Sequence, residues 1–302
     1  MSFHIPNRME VSVELPTDNK GLTARECPNC KRIFKVKNGT GLKGKDLPCH
    51  CAYCGHVKRH DEFHTKEQVK YAKSVVMRKF TDSLHTQMKK VKSLKVEVKS
   101  PYPIRYYYEK ALETDVVCDQ CTLVYAIYGE FAFCPDCGSH NSVTILKKNI
   151  EFVGKMLSLA EAQEQAMAAR LVGDALENLV STFDGFGREV CSVASPKAVK
   201  PAEAKDLRFQ NLAGTQKRLQ QQFGFDLAAF LSPDDWKFIC RCFEKRHLLA
   251  HKMGVVDEDY LLATNDYSAA VGRKVVIVAT EVNKFGTLLL QLGERLSKQL
   301  LG

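Results

Sequence analysis

Eight of the twelve cysteines fall into four C-x2-C pairs, Cys27/Cys30, Cys51/Cys54, Cys118/Cys121 and Cys134/Cys137, and this spacing constrains the fold more than any other feature. The first two pairs are separated by 20 residues and the last two by 12. Each set can therefore bring four thiolates to one tetrahedral ion, with zinc to sulfur distances near ~2.3 Å. Two structural Zn2+ ions in two small ribbons are the expectation. The runs Cys27-Pro28-Asn29-Cys30, Cys51-Ala52-Tyr53-Cys54-Gly55 and Cys134-Pro135-Asp136-Cys137-Gly138 are tight turns whose Pro or Gly lets backbone amides fold over the sulfurs. The competing reading, buried or disulfide-bonded cysteines, fits poorly with paired spacing in a reducing compartment. Cys49 and His50 stand directly before Cys51, so the spacing leaves open whether one of them replaces a ligand of the first site. With all four positions filled, such an ion has no open site for catalysis and serves to stabilise a unit too small to stand alone.

The charge is unevenly placed. Residues 1–150 hold 25 Lys plus Arg against 16 Asp plus Glu, whereas residues 151–302 hold 19 of each, so the whole excess of +9 lies in the first half. A basic module joined to a neutral one points to a polyanion, most often nucleic acid, although charge also serves solubility. At 302 residues, 45% of them hydrophobic and 26% charged, the chain has the composition of an ordinary folded protein of two or three domains. The start, Met1 to Arg8, has no charged head followed by an apolar run, and no later stretch approaches 18 uninterrupted apolar residues. A cytoplasmic protein with no membrane partner is the expectation.

Between the ribbons, Val69, Ala72, Val76, Phe80, Leu84, Met88, Val91 and Leu94 recur at three- and four-residue intervals, which predicts one long helix over 65–95. From Lys66 to Lys99 it carries ten Lys or Arg against three acids, Glu67, Asp82 and Glu97. Such a face either is simply solvated or tracks phosphates. Tyr102, Tyr106, Tyr107 and Tyr108, with Arg105 among them, either stack on bases or fill a small core.

From about Glu151 the pattern is helical. Met156, Leu159, Ala160, Met167, Leu171, Ala175, Leu176, Leu179 and Phe183, with no proline among them, predict one long helix over 152–183. Ser192 to Ala204, rich in Ala, Lys, Ser and Pro, reads as a flexible connection. Ser232-Pro233-Asp234-Asp235 is a helix start, with an N-cap Ser, Pro at the first position and two acids in the first turn. That helix should stop at Gly254, which suits a left-handed cap, and a last helix follows over about 281–301. The expected class is α+β and multidomain: a ribbon at 1–64, a basic helical connector at 65–99, a second ribbon at 100–150 and an all-α bundle at 151–302.

The helix that starts at Pro233 carries Arg246-His247-Leu248-Leu249-Ala250-His251, an R-x4-H run with a second histidine beside the arginine. Arg presents a planar fork of donors that suits a phosphate, and His, with an unperturbed pKa of about 6.5, exchanges a proton near neutral pH. Two histidines four apart also suit a metal, but a zinc-protease helix needs Glu where this chain has Leu248, and no third ligand is evident. Six polar residues, Glu244 to His247 with His251 and Lys252, surround only Leu248, Leu249 and Ala250, which argues against a purely core role.

The run from Phe243 through His251, Gly254 and Asp257-Glu258-Asp259-Tyr260-Leu261 resembles the signature of HEPN domains, all-α modules marked by R-x4-6-H with a polar residue after the Arg. The likeness covers about residues 151–302; the front half resembles generic zinc ribbons. The resemblance implies a helical bundle that dimerises, with the motif helices of two copies facing across a shared cleft, and in many members metal-independent cleavage of RNA. Helix geometry agrees with that implied pairing, because residues five apart on an ideal helix point about 140° away from each other, so a single copy poorly encloses a phosphate while two copies can surround it. In the implied mechanism His251 assists removal of a proton from a ribose 2′-hydroxyl, Arg246 neutralises charge on the phosphoryl oxygens, and His247 orients the phosphate or the other histidine. The products would be 2′,3′-cyclic phosphate and 5′-hydroxyl ends. The family's toxins controlled by nucleotidyltransferase antitoxins resemble R-x4-H-x-Y; here Met253 stands at the last place, so adenylylation there is not expected and no antitoxin is identifiable.

The sequence reading is thus a homodimeric, zinc-ribbon-bearing HEPN endoribonuclease of a prokaryotic defence or stress type, with RNA or another nucleic acid as partner. Its rival is a non-catalytic nucleic-acid-binding or regulatory protein in which the helical half only dimerises. A zinc-stabilised scaffold for protein partners, with Arg246 and His251 replaceable, is the third.

Overall fold

The computed structural model describes residues 11–44, 47–89, 101–109, 112 and 114–302. The chain forms two compact units, Met1–Ser139 and His140–Gly302. It is α+β, with helix predominating.

In the first unit, β1 (Leu22–Glu26) and β2 (Ile33–Lys37) form an antiparallel hairpin that turns through Cys27 and Cys30. The strands β5 (Thr114–Val117) and β6 (Val124–Ile127) form a second hairpin that turns through Cys118 and Cys121. The two hairpins join edge to edge, Lys35 opposite Ala126 and Val36 opposite Tyr125, giving a four-stranded sheet of order β1-β2-β6-β5. A third hairpin, β3 (Pro48–His50) with β4 (Val57–Arg59), turns through Cys51 and Cys54. Separate ribbons at 1–64 and 100–150 are therefore corrected to one unit that shares a sheet and a core of Phe34, Phe63, Leu123, Tyr125 and Ile127. The physical reason is edge satisfaction: an isolated hairpin leaves a row of unpaired backbone groups, and β2 and β6 supply each other's partners. The unit boundary falls at Ser139/His140, where the sequence reading placed it at 150/151.

Helix α1 is described over Lys66–Lys89. It starts with a capping box: Gln68 N donates to Thr65 Oγ1 (3.2 Å) and Thr65 N donates to Gln68 Oε1 (3.0 Å). The Gln68 amide also donates to Ala24 O (2.9 Å) and so ties the helix to β1. Of the predicted apolar face, Val69, Val76 and Phe80 remain 37–41% exposed, and Val91 and Leu94 lie outside the described residues, as do Lys90, Lys92, Lys95 and Lys99.

In the second unit, α2 (Ser142–Glu161) and α3 (Gln165–Ala194) fold back on each other through three residues and pack with α8 (Ala279–Leu301). The single helix expected over 152–183 is thus two. No residue type marks the break; the two apolar faces, Leu146, Val153 and Leu157 on α2 and Leu176, Leu179 and Phe183 on α3, close one core only if the chain reverses. The ring of Phe183 lies 5.7 Å from Phe209 and 6.4 Å from Phe243, which in turn meets Phe285 edge-on at 5.7 Å. Gly187 permits this closeness, since a Cβ there would sit 2.5 Å from the Phe209 ring. The expected flexible connection over 192–204 is also corrected. It contains the end of α3, a 3-10 turn at Ser195–Lys197 and α4 (Pro201–Lys205), held by Lys197 Nζ on Leu300 O (3.0 Å) and Val199 N on Gln222 O (3.0 Å). Helices α5 (Leu212–Phe223), α6 (Pro233–Lys252) and α7 (Glu258–Thr264) complete the unit. No helix among the described residues is long and apolar enough to cross a membrane.

Candidate metal centres and a candidate active-site helix

The four sulfurs of Cys27, Cys30, Cys51 and Cys54 all lie within 4.8 Å of one another, and so do those of Cys118, Cys121, Cys134 and Cys137. Within the first group Cys27 to Cys54 and Cys30 to Cys51 are both 3.7 Å; within the second, Cys118 to Cys137 is 3.6 Å and Cys121 to Cys134 is 3.5 Å. A tetrahedron with metal to sulfur bonds of ~2.3 Å has edges of about 3.8 Å, so both groups are geometrically suited to hold a metal ion. Backbone amides turn toward the sulfurs: Asn29 N donates to Cys27 Sγ (3.4 Å) and Tyr53 N donates to Cys51 Sγ (3.4 Å). Burial pushes the Cys121 thiol up to about 11, whereas Cys137, despite the opposing effect of burial, is brought down to about 7 by hydrogen bonds from Ser139.

The open question at the first group has a geometric answer. Cys49 is fully buried outside the group, with burial pushing its thiol up to about 12. His50 lies against the other knuckle: its backbone N donates to Pro135 O (2.7 Å), and a Cβ on Gly138 would stand 3.0 Å from its ring. Neither joins the four sulfurs.

Arg105 N donates to Ser74 Oγ (3.0 Å), and Tyr71 meets the rings of Tyr106 at 6.0 Å and Tyr107 at 5.7 Å, so the tyrosine segment lies along α1. Tyr106 and Tyr108 are nonetheless exposed, at 73% and 96%, and Lys66, Lys70 and Lys73 of α1 are exposed as well.

Helix α6 begins as its sequence dictates: Asp235 N donates to Ser232 Oγ (3.1 Å), with Pro233 in the first turn. It ends one residue earlier than the glycine alone implies. Met253 itself is left-handed (φ 52°), followed by Gly254 (φ 77°), whose N–H donates to Leu248 O (2.9 Å). His251 and Lys252 thus occupy the last turn, where the helix dipole favours positive charge. The rotation of the helix is fixed from inside. Lys245 is buried, and its ammonium donates to both oxygens of Glu281 on α8 (2.8 Å each) and to Val276 O (2.9 Å). With Lys245 inside, His247 and His251 are exposed, one turn apart, their rings 4.8 Å between centroids and inclined by 51°. Arg246 is half-buried, and its Nε, closed off from solvent, has no hydrogen-bond partner among the described residues. The structure so brings the two histidines together and sets Arg246 between surface and core.

The residues after the motif are supports. Asp257 caps α7 by accepting from Tyr260 N (2.9 Å) and pairs with Lys252. The buried Tyr260 hydroxyl donates to Asp266 Oδ2 (2.7 Å), and Asp266 Oδ1 accepts from Ser268 N (3.1 Å) and its hydroxyl (2.5 Å). Burial, then the contact with Asp266, drives the Tyr260 phenol above its ordinary value. A groove of about 530 Å³ beside the helix end is lined by Gly173, Asp174, Leu249, Met253 and Val275, and not by Arg246, His247 or His251. Sequence reasoning missed the Lys245–Glu281 pair, because a lysine within a polar run reads as surface. Comparison of the chain with protein-family models, curated proteins and solved structures finds no match to any.

Proposed function

We propose that the chain is a metal-independent endoribonuclease of HEPN type whose active site is completed by a second copy. The observation that carries this reading is the exposed, ring-to-ring pair of His247 and His251 on a helix end whose neighbour Arg246 has an unpartnered Nε. A phosphate supplies the acceptor that the guanidinium lacks, and imidazole supplies the proton traffic. His251 takes the proton of a ribose 2′-hydroxyl as the 2′ oxygen attacks phosphorus. The P–O5′ bond breaks, the leaving oxygen takes a proton from a second imidazole, and Arg246 offsets the charge gathering on the phosphoryl oxygens. Cyclic phosphate and 5′-hydroxyl ends result.

In this reading the two cysteine groups hold Zn2+ as structural ribbons, and the basic first unit captures RNA with exposed Tyr106 and Tyr108 as stacking faces. A cytoplasmic defence or stress role accords with the resemblance. The second reading, a binding protein whose helical unit only dimerises, is favoured by those same exposed tyrosines and lysines. The test is cleavage of a labelled single-stranded RNA in EDTA, with a 2′-deoxy copy at the cut site and the Arg246→Ala and His251→Ala variants alongside. Cyclic-phosphate ends that vanish in the variants and on the deoxy copy are expected. Cleavage retained by both variants would remove these residues from the chemistry.

A further inference from the structure

His247 and His251 have the spacing of a chelate as well as that of a proton-transfer pair. They stand four residues apart on one face of α6, with ring centroids 4.8 Å apart and planes inclined by 51°. A zinc to imidazole nitrogen bond of about 2.0–2.1 Å, continued by the roughly 1.2 Å from that nitrogen to the ring centre, puts each ring centre about 3.2 Å from a shared ion. Two such rings meeting at roughly 90–110° have centres about 4.5–5.2 Å apart. The observed spacing falls within that interval, so the helix already sets the separation that one ion requires.

The surroundings favour a cation. Both side chains are exposed, so an ion reaches them without any opening of the fold. Among the described residues neither ring is held by a hydrogen bond or an ion pair, which leaves ring nitrogens free for a metal bond. His251 lies in the last turn of α6, at the negative end of the helix dipole. Glu244, one turn before His247 and about 60° from it around the axis, adds a carboxylate to the same side. Two cations stand against this, but Lys252 is paired with Asp257, and Arg246 projects about 100° away from His247 around the helix. Among the described residues no third Cys, His or carboxylate joins the two rings within ligand distance, so water fills the remaining positions.

We infer that His247 and His251 chelate one divalent transition-metal ion of the zinc class, in a site separate from the two cysteine groups. Imidazole nitrogen suits zinc, copper and nickel, whereas magnesium and calcium take oxygen ligands. The inference does not depend on the ribonuclease reading. An ion held there would occupy the nitrogens that reading assigns to proton transfer, so the two uses exclude each other.

The test takes the full-length protein with its cysteine groups already loaded with zinc and titrates it with further Zn2+, which displaces nothing from those groups. Calorimetry counts the ions, and NMR follows the histidine ring nitrogens, with no RNA present. One further equivalent per chain is expected, with the rings of His247 and His251 shifting together and Mg2+ leaving both unmoved. His247→Ala and His251→Ala change exposed side chains and spare the fold. Each should weaken the further equivalent by about a hundredfold, because linking a second ligand to the first raises affinity by about 10²–10⁴. The two losses should not add in the double variant. No saturable further equivalent, or an affinity unchanged in either single variant, would overturn the inference. So would one ion per two chains, which would draw its ligands from separate copies, or an equal response to Mg2+.

Discussion

Lys245 of α6 places its ammonium 2.8 Å from both carboxylate oxygens of Glu281 on α8, and this buried pair sets which face of the motif helix meets solvent. The residue next to Arg246 is therefore an internal anchor. A buried pair gains little over an apolar substitute of similar size, but stranding one partner is costly. Glu281→Leu should destabilise the protein by about 3–5 kcal/mol, and the double variant Lys245→Met/Glu281→Leu should recover most of that loss. Urea unfolding of the three variants checks it. A double variant as unstable as Glu281→Leu would show that the anchor's worth lies elsewhere.

The Tyr260–Asp266 contact makes stability depend on pH at both ends of the scale. Burial raises the Asp266 pKa, but hydrogen bonds from Ser268 and Tyr260 outweigh it and leave the carboxyl below its usual 3.8. A depressed folded-state pKa contributes stability above the unfolded value, and that contribution disappears as pH falls below about 4 and through the folded value. The Tyr260 phenol is shifted the other way, so its contribution is intact below the unfolded value of about 10 and is lost as pH rises beyond it. Tyr260→Phe should cost about 1.5–3 kcal/mol at pH 7 and progressively less toward pH 3, as measured by thermal unfolding across pH. An equal cost at pH 3 and pH 7 would mean that the charged carboxylate is not what the hydroxyl serves.

What the sequence revealed, and what it concealed, divides along the range of the interactions. The knuckles and the Ser232 cap are set by residues within a few positions of each other, and spacing alone located them. The β2–β6 pairing joins strands from opposite sides of α1, and no local pattern encodes it. The α2–α3 reversal lacks Gly or Pro because packing, not a breaker residue, dictates the turn. Cys49 looked like a competing ligand because spacing cannot tell which way a side chain points in a strand; β3 turns it into the core. The Arg246 and His251 pattern was legible, yet the Lys245 anchor that orients it depends on a helix 36 residues further along.

Cys49 and Cys51 are two residues apart and should behave in opposite ways. Cys51→Ser removes a sulfur from the first group, so the protein should hold one equivalent of metal fewer and the first unit should lose its cooperative unfolding. Cys49→Ser keeps both equivalents and costs about 1–3 kcal/mol through an added buried hydroxyl. Metal content by elemental analysis, read beside thermal melting, separates the two. Loss of an equivalent in Cys49→Ser would place that thiol among the ligands.

The exposure of His251 allows its chemistry to be removed without disturbing the fold. His251→Ala changes an exposed side chain at a helix end, so stability should move by no more than about 0.5 kcal/mol. If it is the base, RNA cleavage should fall by about 10²–10⁴-fold. Arg246→Ala should reduce cleavage by about 10²–10³-fold through lost charge stabilisation. Residues five apart on one helix point about 140° away from each other, so in the proposed dimer a site draws its arginine from one copy and its histidine from the other. Mixing inactive Arg246→Ala with inactive His251→Ala subunits should then restore activity wherever a site draws its arginine from one copy and its histidine from the other. Failure of the mixture to regain cleavage, with exchange of subunits verified, would assign both groups of each site to the same chain.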